Sequence, residues 1–594
     1  MLNAVFLVGL AVTALTGIPV LLQMRGHPRG LYVLFFAEMW ERFSYYGMRA
    51  ILIFYLTEQF LFADKFAQGQ YAAYTTLSYL APLWGGFLAD RYLGARKAVA
   101  FGALLLVAGH FTMAIEGKPA VQTLTHAGRT YAFAAEGRSA DRPVCLEVAG
   151  GCYPVLAAKG GGMIILGLPR GAPLPATMAK GDYRLAVKNR NPLFVNVFYL
   201  ALALIVMGVG YLKANISTIV GQLYRQGDPR RDPGYTLYYY GINLGAFWAA
   251  IACGYLGQAV GWWAGFGLAG LGMLAGYLVF VWGRPMLDGQ GEPPDPEALN
   301  KPVLGPIRLE AALYLSGLVG VALVWWLVRQ FALMGWSLLA AWALVLGYLA
   351  WFMIAKCDKV ARERLLLALV LVSASVVFFV LFNQAGSSLN QFAERNTILP
   401  HSGFLTITPG QTQSFNAGFI LIFAPVFAWL WTWLGRSGRD PDPAVKFGLG
   451  LLQVGLGFLV LVWGARFHDM DFRVPVLFLV LAYLLHTTGE LCLSPVGMSE
   501  MSKLSPAALA STMLAVWFMS LSAGEFIGGL VARLTASETV AGQVLDPERA
   551  LATYVATFRN IGLAGMAVGV LLLAASPWLK RLAHGANDPA NHPA

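Results

Sequence analysis

The chain has 594 residues; 57% are hydrophobic, only 12% are charged, and the formal net charge is +11. A soluble chain of this length would fold as about four domains with roughly 25% charged residues to cover them, so soluble and disordered classes are excluded. A basic balance suits nucleic acid, but here Lys and Arg stand in short clusters between apolar runs, the pattern of loops at the ends of membrane spans.

A span takes about 20 mainly apolar residues. The first such run, at about 3–23, lacks the charged n-region of a signal peptide, and Arg25 and Arg29 follow it rather than precede it. It reads as a retained extra helix with its N-terminus outside. Spans at about 31–57, 70–89 and 97–115 come next. The 31–57 span contains FFAEMWERFSYYGMRA, where Glu38, Glu41, Arg42, Tyr45 and Arg49 fall on one helical stripe bordered by Tyr46. Ionisable groups in a bilayer are costly unless paired or hydrated. This stripe must therefore face partner helices or a wet cavity. The simpler alternative is a static ion-pair network that holds helices together. The basic loop DRYLGARK (Asp90–Lys97) follows.

Residues 116–191 interrupt the spans. TYAFAAEG, GGMIILGLP and DYRLAVKN alternate with Gly and Pro, which predicts a small β-rich module. Cys145 and Cys152 flank VAGG and are disulfide candidates in an outside compartment. Cys253, Cys357 and Cys492 read as small hydrophobes, and the five cysteines form no metal pattern. The module reads as a structural cap ahead of a substrate-recruiting surface.

Spans resume at about 192–223, 235–257 and 261–282. Lys213, in GVGYLKANIST, lies deep enough to make snorkelling strained, and pairing with Glu38 or Glu41 is the economical reading. LYYYGINLG supplies Tyr238, Tyr239 and Asn243. Residues 285–308, rich in Pro, Gly and acids, read as a linker, with extra spans at about 309–329 and 333–355 after it. Six more spans fall at about 365–391, 413–434, 446–464, 474–500, 507–532 and 551–578. They carry Asn416, Glu490, Trp517 and Glu525. His486 stands four residues before Glu490 on one helical face; charged, it would make Glu490 pH-sensitive, whereas the simpler reading is a neutral, hydrogen-bonded core His.

Two six-span halves about a linker are the layout of the major facilitator superfamily. The predicted divisions are 1–24 (extra helix), 25–115 (three helices), 116–191 (periplasmic β-rich insertion), 192–284 (three helices), 285–360 (cytoplasmic linker with two extra helices), 361–579 (six helices) and 580–594 (cytoplasmic tail). With Arg25 and Arg29 inside, the basic loops Asp90–Lys97, Arg225–Arg231, Lys356–Arg364 and Gly435–Lys446 also fall inside, as does the C-terminus.

HPRGLYVLFFAEMWERFSYYGMRA, with E-x-x-E-R-F at Glu38, Glu41 and Arg42, resembles the first helix of the proton-dependent oligopeptide transporters. LYYYGINLG is similar to that family's F-Y-x-x-I-N-x-G motif, and GELCLSPVGM to its tenth-helix motif; the helix pair between the halves matches bacterial members. The resemblance covers about 25–115 and 192–579, leaving the first helix and 116–191 outside the common pattern. It implies an all-α major facilitator fold in a bacterial inner membrane. It also implies proton-coupled import of di- and tripeptides by alternating access, without a cofactor. Motif by motif, Arg42, Arg49 and Lys213 would receive the peptide carboxylate and Glu490 the α-ammonium. Asn243 and Asn416 would bond the peptide backbone, and Tyr45, Tyr46, Tyr79, Tyr239 and Trp517 would line side-chain pockets. Glu38 and Glu41, beside Arg42 and Lys213, would carry the proton.

Two departures matter. The family's seventh-helix Glu-Gln is Asn383–Gln384 here, and the usual Trp four residues before that Glu is Phe379. Asn383 stays among the substrate-facing candidates, and Arg49 loses its expected partner. Glu525 stands in the eleventh helix, where the family pattern has Asn. It is expected to take over part of the missing acid's task, pairing with Arg49 or titrating. Competing readings are the same scaffold carrying another small anionic or drug-like solute, and a transport-dead sensor. A membrane enzyme would need a nucleophile–base pair or metal cluster, and His110, His401 and His468 are scattered. Oligomeric state is not legible.

Overall fold

A computed structural model describes residues 4–135, 144–158, 162–225 and 228–586. Among them are fifteen helices of 19 residues or more. α1 (Ala4–Met24) precedes a first half of α2 (Gly30–Phe54), α3 (Asp64–Leu88), α4 (Gly94–Met113), α5 (Pro192–Gln222), α6 (Arg231–Ala259) and α7 (Trp262–Trp282). The linker, with the short α8 (Pro296–Asn300), leads into α9 (Leu309–Leu327) and α10 (Phe331–Ala355). The second half holds α11 (Lys359–Phe382), the short α12 (Ser388–Arg395), α13 (Ser414–Arg436), α14 (Pro443–Gly464), α15 (Val476–Lys503), α16 (Ala510–Ala532) and α17 (Pro547–Leu582). Every expected span is helical. The run at 365–391 is not one helix, however: a tight turn at Asn383–Gly386 separates α11 from α12.

Twelve segments are long and apolar enough to cross a membrane, with 64–113 counted once. The two long helices outside that set, α2 and α6, carry the charged stripe and the tyrosine run. The chain is a multi-pass membrane protein. Its two largest apolar clusters are drawn one from residues 24–334 and the other from 349–586, and a smaller one joins α6 to α13 through Phe247 and Leu421. Within each half small residues let backbones approach, as expected where lipid supplies no hydrophobic drive between helices. A Cβ at Gly102 of α4 would lie 2.6 Å from the Gly208 carbonyl of α5, and one at Gly455 of α14 would lie 2.6 Å from that of Gly562 in α17.

The insertion is an antiparallel sheet of β1 (Val121–His126), β2 (Arg129–Ala135), β3 (Val144–Val148), β4 (Gly151–Ala158), β5 (Gly162–Ile165), β6 (Thr177–Met178) and β7 (Arg184–Lys188). The spatial order is β6-β5-β4-β3-β2-β1-β7. Ala-Gly pairs close β1–β2 (φ 47° and 78°) and β3–β4 (φ 49° and 85°), the two left-handed residues of a type I′ hairpin turn. Cys145 and Cys152 form a disulfide across β3 and β4, with Cα atoms 5.4 Å apart. The sheet marks one end of the bundle: Gln59, at the end of the α2 segment, donates to the Gly117 carbonyl at 2.6 Å. The linker marks the other end. There the Arg96 amide donates to the Gly291 carbonyl at 2.8 Å, and its guanidinium meets both oxygens of Glu292, at 2.7 and 2.9 Å. Arg96 thereby holds the Glu292 carboxyl below the usual range.

Candidate functional site

α2 carries its stripe into the middle of the bundle. Glu38, Glu41, Arg42, Tyr45 and Arg49 are all buried. Arg42 Nε lies 2.8 Å from Glu38 Oε1 and 2.9 Å from Glu41 Oε2. One guanidinium thus serves two carboxylates, and all three groups belong to one helix. Neither of these two pairs leaves α2, so they tie no second helix in place.

Lys213 of α5 does not make the expected ion pair with Glu38 or Glu41. Its ammonium stands 3.8 Å from the centre of the Tyr79 ring, and among the described residues no carboxylate lies within 4 Å of it. Packing of α3 on α5 puts the aromatic face where an acid was expected, and a cation–π contact takes the charge. Tyr46, Tyr79, Lys213 and Tyr239 are half-buried on the first half; Asn416 and Glu490 are half-buried on the second. Glu490 lies within electrostatic reach of both Tyr46 and Tyr239. Asn416 Nδ2 donates to Thr487 Oγ1 at 3.0 Å and to Glu490 Oε2 at 3.4 Å. Asn243 spends its amide on the Tyr239 carbonyl of its own helix, at 2.9 Å. Buried Tyr238 lies next to Glu38.

Arg49 sits nearer the sheet end. Its Nε donates to the Tyr71 hydroxyl at 2.6 Å, and its Nη2 lies 3.6 Å from Glu525 Oε1. Glu525 therefore faces Arg49 across the seam between the halves. The turn after α11 packs closely on Arg49: a Cβ at Gly386 would come within 2.8 Å of Arg49 Nε. In that turn Gln384 is absorbed by structure. It donates to the Val380 and Gly528 carbonyls at 2.9 Å and accepts from Ser388 Oγ at 2.6 Å. Asn383 is buried, and its amide makes no hydrogen bond among the described residues.

Three other expectations need correction. Trp517 does not line a pocket: it is 2% exposed, packed between Phe379 and Phe447 in the core of the second half. Tyr45 is likewise buried, between Tyr46 and Tyr74, and backs the stripe. His486 is not poised beside Glu490. Its ring lies 4.7 Å from that of Phe458 on α14 and beside the Val454 backbone, in the core as the simpler reading has it. Four residues advance a helix by about 40° beyond a full turn. That suffices here, because α15 is flanked by α14 on the His486 side and by α13 on the Glu490 side.

Sequence reasoning missed Tyr71 and the polar seam at the sheet end. Asp64, opening α3, takes Arg395 through both oxygens at 2.6 and 3.0 Å and accepts the Ser537 amide at 2.9 Å. Gln68 donates to Gln391 at 2.5 Å, and Asn390 to the Ala50 carbonyl at 3.0 Å. The only signal was a polar residue beside a span end; the partner lay more than 300 residues away.

The model of the POT family matches residues 96–546, well over half of the chain. An uncharacterized transporter, YclF of Bacillus subtilis (strain 168), is 32% identical, with 94% of this chain and 96% of the relative covered. Dipeptide and tripeptide permease A of Edwardsiella piscicida is 29% identical over 94% of this chain and 96% of that protein. Among solved structures, a peptide transporter POT in complex with sulfate matches at a TM-score of 0.70 and 32% identity, covering 94% of this chain and 96% of that one. A POT family transporter in complex with 5-aminolevulinic acid matches at 0.68 and 26%, covering 93% and 97%. The chain belongs to the POT family, the proton-dependent oligopeptide transporters that its first-half and tenth-span motifs resemble.

Proposed function

We propose that the chain is a proton-coupled symporter that imports di- and tripeptides by alternating access of its two halves. The carrying observation is the charge arrangement at mid-bundle. Arg42, Arg49 and Lys213 belong to the first half, and Glu490 belongs to the second. A zwitterion of limited length is read by opposite charges at its two ends, and roomy pockets then admit varied side chains. Peptide permeases among the relatives support this reading. Positive-inside bias supports an orientation with the sheet end and the N-terminus outside and the linker and the C-terminus in the cytoplasm of a bacterium. Membrane lipid surrounds the apolar faces.

The test is uptake of labelled dialanine into proteoliposomes with and without an inward proton gradient. Gradient-dependent uptake is expected, and dipeptides should compete. Glu490→Gln should raise KM for dialanine by about tenfold, the loss of one charge-assisted contact. No gradient-dependent uptake together with no competition would remove the reading. A second reading is transport of small drug-like zwitterions on the same poles. It is favoured by the similar transporter holding 5-aminolevulinic acid, and competition by that amino acid against dialanine would measure it.

A further inference from the structure

The inserted sheet is rooted in the first half but touches the second. Both of its stems are pinned to the α2–α3 turn. The Ala120 amide donates to the Gln59 carbonyl at 2.9 Å, and Arg190 donates to the Phe60 and Leu61 carbonyls at 2.7 and 2.9 Å. Arg190 also stacks on Phe62, 4.6 Å from the ring centre. The sheet therefore moves with the first half.

The opposite contact is with the loop between α16 and α17, in the second half. There residues 539–544 form a hairpin whose tip is again Ala-Gly, at φ 50° and 85°. An Ala held left-handed costs about 1–2 kcal/mol relative to its ordinary conformation, so this tip is a shaped feature. The Ala541 amide donates to Gln122 Oε1 at 2.5 Å, and Val540 and Ala541 are buried in the apolar core of the sheet with Leu124. Gln122 and Leu124 are two apart on β1 and share one face. Beside them Lys180 meets Glu538 at 2.7 Å. The row continues into the seam through Asp64 and the Ser537 amide.

We propose that this face of the inserted sheet is an interaction surface for the 538–541 loop of the same chain, a latch made only while the sheet end is closed. The sheet thus sets how readily the carrier opens outward. The proposal rests on the reading that the halves rock apart, and it replaces a passive cap with a state-dependent contact. Opening the seam must pull the Ala541 tip out of the sheet, because the sheet's roots and the tip's roots lie in different halves.

The test is a cross-link. Gln122→Cys with Ala541→Cys, joined in the full-length protein by a short bis-methanethiosulfonate, each thiolate displacing a sulfinate to form a reducible disulfide, should lower dialanine uptake at least about tenfold, with recovery on reduction. The control pair Thr125→Cys with Thr130→Cys joins two strands within the sheet, where the hydroxyls are 3.1 Å apart; linked, it should transport as before. Equal transport by the two linked proteins would overturn the proposal. Should the unlinked proteins carry no dialanine, the peptide reading fails, and a second measurement still decides the latch. In purified protein, a thiol placed at the seam by Gln68→Cys should react about fivefold faster when Gln122→Ala and Lys180→Ala are added, the shift expected from one lost hydrogen bond and one exposed ion pair. An unchanged rate would overturn the latch without reference to substrate.

Discussion

Glu525→Gln should abolish proton-driven accumulation of peptide while leaving peptide exchange across the membrane within about threefold of the parent, since an isosteric amide keeps the shape and removes only the titrating charge. Glu525 is 3% exposed and lies 3.6 Å from Arg49 across the seam. Protonation from outside would remove one of the two charges that hold the seam together there. A buried guanidinium left without its counter-ion is strongly disfavoured, so the protonated state favours separation of α2 and α16 at the sheet end. Tyr71, which belongs to the same half as Arg49 and accepts from its Nε, would prevent its collapse into another partner. Release of the proton inside re-forms the pair and closes the sheet end behind the peptide. One charge moving through 100 mV supplies about 2.3 kcal/mol, and each pH unit about 1.4 kcal/mol. Together these support accumulation of several hundred-fold. Gln cannot change charge, so the steady-state ratio should fall to about unity in proteoliposomes carrying both gradients. Full accumulation by the Gln variant would remove Glu525 from the proton path and return the task to Glu38 and Glu41.

The fold was legible because its signals are local. A run of some twenty apolar residues specifies a helix wherever it lies, and Ala-Gly or Gly-rich breaks between short alternating runs specify hairpins. The stripe on α2 was legible for the same reason, as helical spacing alone aligns Glu38, Glu41, Arg42 and Arg49. What failed was partner choice. An amine in a bilayer needs compensation, which calls for an acid beside Lys213, and nothing local to α5 reveals that Tyr79 supplies it. Trp517 sits in a motif-rich helix, but its orientation follows from Gly497, against which its ring packs. Glu525 stood out only as an acid in an apolar run; its contact with Arg49 depends on how α16 crosses α2 and α3. The Asp64–Arg395 pair and the Gln122–Ala541 contact lie at span ends, where charged and polar residues are ordinary.

Arg42→Ala should have the other large effect, and it should differ in kind: exchange as well as accumulation should fall by at least about a hundredfold, the loss that follows when a buried charge pair is broken by removing one partner. Arg42 stands 2.8 Å from Glu38 and 2.9 Å from Glu41, and the three formal charges leave a surplus of one negative charge near Lys213. Without the guanidinium two carboxylates would face each other in a dry site, and at least one must take up a proton permanently. A site already protonated cannot exchange a proton for a peptide carboxylate, and the base meant to bind that carboxylate is gone. Exchange needs binding even though it needs no gradient, which is why this variant should fail where Glu525→Gln does not. Because both partners lie on α2 itself, the lost pairs tie no second helix in place, and the purified variant should remain a monodisperse folded protein by gel filtration. Arg42→Lys should recover part of the exchange, since a point charge can neutralise one carboxylate but not fork between two. A folded Arg42→Ala protein that exchanges dialanine at the parent's rate would reduce the triad to local charge balance along α2, and the carboxylate pole would then have to rest on Arg49 and Lys213.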